Sequence, residues 1–114
     1  MVFLLISWVI SSSENVQRHE ELERRLIHHY RKLESVKSFK YFSHWIGQDL
    51  SPVGGRLELF EFEDLTSLEE FFEKLWEDED AQRILSEKLR LINPSTVRFS
   101  ILSERNRELW FEKR

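Results

Sequence analysis

Cysteine is absent from this 114-residue chain, so no disulfide framework can staple it and no thiolate can hold a metal. A metal would need histidine and carboxylate ligands, and none is expected. The one dense acidic run, residues 77–80 (Glu-Asp-Glu-Asp), reads as the start of a helical segment, where negative charge is favoured. Only three glycines are present, with no Gly-rich phosphate loop among them; Gly54-Gly55 reads as a turn. Lys and Arg total 17 against 21 Asp and Glu, which removes the concentrated basic surface that nucleic acid requires. No apolar run reaches the roughly 20 residues that span a bilayer; Val2–Ile10 is about half that and has no basic region before it. No membrane or nucleic-acid partner is therefore expected, and a cysteine-free chain suits the cytoplasm. Ser-His-Asp spacing, internal repeats and linkers are also missing. The length fits one two-layer domain over residues 1–103, followed by a charged tail over 104–114.

What is present is a change of period. After Gly54-Gly55, residues 56–63 alternate as a strand; Leu68, Phe71, Phe72, Leu75 and Trp76 then recur at helical spacing. Between them Thr66-Ser67-Leu68-Glu69 matches a capping box, with Thr66 as the cap. Upstream, Val2–Ile10 is apolar at both parities, like a strand covered on two faces. Ser11, Ser12 and Ser13 offer capping hydroxyls to a helix that runs to about Glu34, with Val16, His19, Leu22, Leu26, Tyr30 and Leu33 inward. Residues 36–47 form a second strand, joined to the third through a turn at 49–55. The later helix breaks at 77–80 and restarts with Ala81, Ile84, Leu85 and Leu89 inward. Asn93-Pro94 stops it, and residues 96–102 make a fourth strand.

The resulting order, β-α-β-β-α-β, predicts an α+β, ferredoxin-like fold: a four-stranded antiparallel sheet with both helices on one face. The other face would also be apolar. Burying each such side chain is worth roughly 1.5 to 3 kcal/mol, so a second copy is the simplest cover. Element order over residues 2–102, the strand-to-helix segment 56–76 and the helix break Trp76-Glu-Asp-Glu-Asp-Ala-Gln82 resemble the dimeric α/β-barrel superfamily. That resemblance implies a homodimer, or a higher oligomer, closed sheet against sheet, and a ligand-sized cavity between sheet and helices. Members include cofactor-free monooxygenases acting on aromatic or quinone-like molecules, haem-degrading proteins, isomerases and modules without a known role. Haem-degrading members take their iron ligand from a histidine on the second helix. Residues 67–92 contain no histidine, so no haem and no other cofactor is expected.

Candidate site residues follow from the same reading. His44 is the candidate catalytic residue, a proton carrier near neutral pH among aromatic neighbours. Trp8, Tyr41, Phe42 and Trp45 are candidates for lining a pocket, and Arg56 and Glu58 for orienting a ligand if they point inward. At strand ends Arg56 and Glu58 would simply be solvated. His19, on an apolar face, reads as a satisfied core histidine. Two functions remain open: a homodimeric module binding a small apolar or aromatic molecule without chemistry, and a cofactor-free monooxygenase or isomerase. Charged residues at 33% with few Asn and Gln also lean towards a heat-adapted source.

Overall fold

The computed structural model describes residues 1–44, 54–105 and 111–113. Its elements are β1 (Val2–Ile10), α1 (Val16–Arg31, after a 3-10 turn at Ser13–Asn15), β2 (Val36–Ser43), β3 (Gly55–Phe62), α2 (Leu65–Glu77), α3 (Glu79–Leu89) and β4 (Ile92–Ser103). The strands form one antiparallel sheet in the order β2-β3-β1-β4. This is the ferredoxin-like α+β fold, with its second helix in two pieces.

Register decides which side chains meet the helices. Leu4 lies opposite Phe60, Ile6 opposite Glu58 and Trp8 opposite Arg56, while Phe39 and Tyr41 of β2 face Phe60 and Glu58. Even positions of β1 and β3 and odd positions of β2 therefore share the helix side. There Leu4, Phe60 and Phe62 are buried against Leu22, Leu26 and Tyr30 of α1 and Phe71 of α2. Phe60 is the centre of this core, its ring 4.8 Å from Phe39 and 5.0 Å from both Tyr30 and Phe71, edge-on or tilted as aromatic quadrupoles prefer. On the opposite face Phe3, Leu5, Val9, Leu57 and Leu59 are only half-buried in the single chain, and Phe42 and Leu102 are exposed.

Local chemistry shifts several expected boundaries. The cap of α2 is Asp64, not Thr66: its extended backbone leaves β3 and its carboxylate accepts from the Ser67 amide at 2.8 Å. Thr66 falls inside the first turn. At α1, neither Ser12 nor Asn15 makes a side-chain cap. The Ser11 hydroxyl instead donates to the Leu91 carbonyl at 2.9 Å, tying the start of α1 to the entry of β4. β4 begins at Ile92 and includes Pro94. An edge strand tolerates that proline because the ladder shifts register between Ser7 and Val9, where the Val9 amide donates to the Thr96 hydroxyl at 2.9 Å.

The helix break falls where the acidic run lies. Asp78 is extended, its carboxylate accepts from the Ala81 amide at 3.1 Å, and Gln82 Nε2 donates at 2.8 Å to the Leu75 carbonyl, which also accepts from the Asp78 amide. The other Asp78 oxygen and an Asp80 oxygen each lie 2.8 Å from a ring nitrogen of His29, fastening the break to α1. The turn expected at 49–55 lies outside the described residues except for Gly54 and Gly55, as do Trp45 and most of the tail.

Candidate ligand-binding site

Charged residues occupy core-facing positions of three elements. On α1 the inward stripe contains Glu23 beside Leu22 and Leu26; on α3, Lys88 follows Ala81 and Ile84; on β3, Glu58 lies between Arg56 and Phe60 on the helix side. Glu23, Glu58 and Lys88 are all at most 5% exposed. Lys88 Nζ donates to Glu23 Oε1 at 2.8 Å, lies 3.9 Å from Glu58 Oε2, and sits 3.8 Å above the Trp8 ring. Burial pushes the Glu58 carboxyl well above the ordinary carboxylate range. The Lys88 charge opposes that shift, while the charge of Glu23 and a hydrogen bond with it reinforce it. Glu58 Oε2 and Glu23 Oε2 are buried without a hydrogen-bond partner among the described residues. Removing one member of so buried a group would leave its partner charged and dry, at a cost of about 3 to 5 kcal/mol.

A second polar group adjoins the first across Trp8. Trp8 Nε1 donates to His19 Nε2 at 2.9 Å. Indole is only a donor, so His19 carries its proton on Nδ1, which faces Glu20 Oε1 at 3.2 Å. That carboxylate oxygen also accepts from the Tyr41 hydroxyl and from Arg56 Nε, both at 2.9 Å. Burial pushes the Glu20 carboxyl up, but the Arg56 and Tyr41 hydrogen bonds outweigh it and hold it below its ordinary value. Burial, aided by Lys88, lowers His19. Burial also raises the Tyr41 hydroxyl, with the charges of Glu23 and Glu20 adding to it. At neutral pH this group is a fixed scaffold: a neutral imidazole holds the Trp8 ring in place beneath Lys88.

Between the sheet and α2–α3 lies a cavity of about 660 Å³. Its floor is Ile6, Trp8, Glu58 and Lys88; its walls are largely apolar, from Phe71, Phe72, Leu75 and Trp76 of α2, Leu85 and Leu89 of α3, and Val97 and Phe99 of β4. Of these lining residues Phe99 is 62% exposed and Trp76 79% exposed, so the cavity is open to solvent on their side. Apolar walls with a few convergent polar groups are the form of small-molecule sites.

The structure distributes the sequence candidates unevenly. Trp8 and Glu58 line the cavity. Tyr41 and Arg56 belong to the adjoining group around Glu20. Phe42 is on the opposite sheet face, 44% exposed. His44 is not among the residues lining the cavity: its amide donates to the Gly55 carbonyl at 2.8 Å, and Gly55 has outer-face parity. Glu58 pairs with Tyr41, so no His44–Glu58 cross-strand pair forms. Trp45 lies outside the described residues. Glu20, Glu23 and Lys88 were not singled out by sequence. The available signal was a charge occupying a place in an apolar stripe, at 19-22-23-26 and at 81-84-85-88.

No protein-family model matches the chain, and no curated protein sequence matches it either. Solved structures do. An antibiotic biosynthesis monooxygenase superimposes with a TM-score of 0.71 at 15% identity over 93% of this chain and 100% of that one. A conserved protein from Methanosarcina mazei gives 0.71 at 14% identity over 91% and 92%. A variant of SnoaB, a cofactor-independent oxygenase from Streptomyces nogalater, gives 0.67 at 8% identity over 92% and 93%. The chain thus shares the ferredoxin-like fold of these structural neighbours. At these identities the likeness is one of fold.

Proposed function

We propose that the chain is a homodimer that binds a small, largely apolar molecule in the cavity between the sheet and α2–α3. The observation that carries this reading is the cavity itself, about 660 Å³ and walled by Phe, Leu and Trp side chains over a floor with a buried carboxyl and an ammonium. The half-buried apolar outer face supports the homodimer, since a second copy can cover it without touching the cavity. A cytoplasmic setting fits the cysteine-free composition. A second reading, a cofactor-free monooxygenase or isomerase acting on an aromatic or quinone-like molecule, is favoured by Glu58, a cavity carboxyl that burial raises well above the ordinary carboxylate range, towards the pH at which it can exchange a proton. Its mark would be conversion of the bound molecule, which a binding module does not perform.

The test is calorimetric titration with a neutral apolar probe, naphthylethanol, on the wild type and on Ser86→Trp. Ser86 lines the cavity yet is exposed, so the added indole fills space without overpacking the core. Saturable binding that Ser86→Trp weakens by roughly tenfold or more, at unchanged melting temperature, is the expected result. No binding, or equal binding by both proteins, would overturn the assignment.

A further inference from the structure

The cavity is apolar in its walls but lopsided in its charges. Among the described residues that line it, the side chains able to carry a charge near neutral pH are three carboxyls, Glu58 on the floor and Glu73 and Glu77 on α2, and one ammonium, Lys88; Tyr30 is held neutral by burial. That ammonium is already engaged with Glu23, 2.8 Å away. Glu58 Oε2 is buried and accepts no hydrogen bond. The floor therefore holds a carboxyl oxygen that accepts no hydrogen bond, with Lys88 Nζ 3.9 Å away, below two exposed carboxylates of α2 that disfavour an anion.

We propose that the cavity is selective for an apolar amine, whose ammonium seats on Glu58 Oε2 and whose hydrocarbon body lies against Phe72, Leu85 and Phe99. The proposal rests on the reading of the cavity as a ligand site and adds the class of ligand. A bound ammonium completes an alternation, Glu23 negative, Lys88 positive, Glu58 negative, ligand positive, so each buried charge gains an opposite neighbour. A carboxylate ligand would meet the three carboxyls with only a committed lysine to receive it. An alcohol would satisfy the acceptor but leave the charge count unchanged.

The groups around Glu58 fix the pH behaviour. They are Glu23 and Tyr30 from α1, with His19 behind Trp8; Lys88 from α3; Tyr41 from β2 and Arg56 on its own strand; and Glu73 and Glu77 on α2 above. Burial raises the Glu58 carboxyl, so the empty site holds its proton to a higher pH than a solvated carboxyl does. Binding is then an exchange: the protonated amine enters, the Glu58 O–H bond breaks, the proton leaves to solvent, and the carboxylate pairs with the ammonium. Affinity for the amine rises with pH until the amine itself loses its proton.

The experiment titrates the wild-type protein with naphthylethylamine, naphthylethanol and naphthylpropionate at neutral pH, by calorimetry in two buffers of different ionisation enthalpy. The expected order is amine over alcohol on the order of tenfold, with the propionate weakest. Heat should depend on buffer as proton release requires for the amine and not for the alcohol. Glu58→Gln should remove both the preference and the proton release, bringing the amine down to the level of the alcohol, and Ser86→Trp should weaken the amine as it weakens the alcohol. Alcohol binding as tight as the amine, amine binding without proton release, or undiminished amine binding to Ser86→Trp through surface attraction alone would each overturn the proposal. Should Glu58→Gln fail to fold, the ranking and the proton count on the wild type decide alone. Failure of the ligand-site reading itself is distinguishable, because then the alcohol does not bind at all.

Discussion

His19 shows how one buried side chain ties stability to pH. Its Nε2 accepts from Trp8 at 2.9 Å, so the folded state holds the ring neutral, and burial with the nearby Lys88 lowers it below 6.5. In the unfolded chain the imidazole takes up a proton as pH falls through 6.5; in the folded chain it does not until its lower value is reached. The unfolded state binds more protons over that window, so stability declines with acidification below pH 6.5 and the decline ends at the folded-state value. His19→Gln keeps an acceptor for Trp8 without titrating. Chemical denaturation from neutral to mildly acidic pH should give a shallower loss of stability for His19→Gln than for wild type; parallel curves would contradict the assignment. The core position of His19 was legible from sequence, because it shares a stripe with Leu22 and Leu26. Its partner was not, since only the fold brings residue 8 of a strand to residue 19 of a helix. Glu23 and Lys88 escaped notice for a related reason: a charge at an inward position is anomalous only once its counter-charge from another element is in view.

Among the elements, type and order were readable and boundaries less so. An apolar run marked β1, periodicity marked α1, β3 and both pieces of the second helix, and the break at Asp78 lies within the acidic run because aspartate both caps α3 and accepts from His29. The Ala81 amide, ahead of His29, holds the Asp78 carboxyl below its ordinary value. The start of α2 was misassigned because two good caps stand two residues apart, Asp64 and Thr66, and backbone geometry at the end of β3 selects the first. The start of β4 was missed because Pro94 is a stop signal in isolation but is tolerated at the bulge of an edge strand. The cap assignment makes a comparative prediction. Asp64→Ala should lower the melting temperature by roughly 4 °C, the effect typical of a lost cap in a domain of this size. Thr66→Ala should leave it nearly unchanged, and the reverse order in thermal melts would restore the capping box.

For the whole molecule, the face of each strand parity was the quantity that sequence could not supply. Apolar residues on both parities of β1 and β3 signalled a sheet covered twice; only register showed that Leu4, Phe60 and Tyr41 go to the helices, leaving Leu5, Leu57, Leu59 and Phe42 on the other side. The same register settled which candidates could share the cavity: Glu58 reaches it with Trp8, and His44 follows Phe42 in parity. In the proposed function the two faces do different work, ligand on the helix side and a second copy of the chain on the outer side. Leu59 lies opposite both Leu5 and Lys40 in the middle of the outer face, so a carboxylate there would be trapped in a dimer interface and harmless in a monomer. Light scattering of wild type and Leu59→Glu at micromolar concentration tests this most directly. The expected result is a wild-type mass of about twice the 13.9 kDa chain and a smaller mass for Leu59→Glu; a wild-type mass of 13.9 kDa, or a dimer that Leu59→Glu leaves intact, would contradict it.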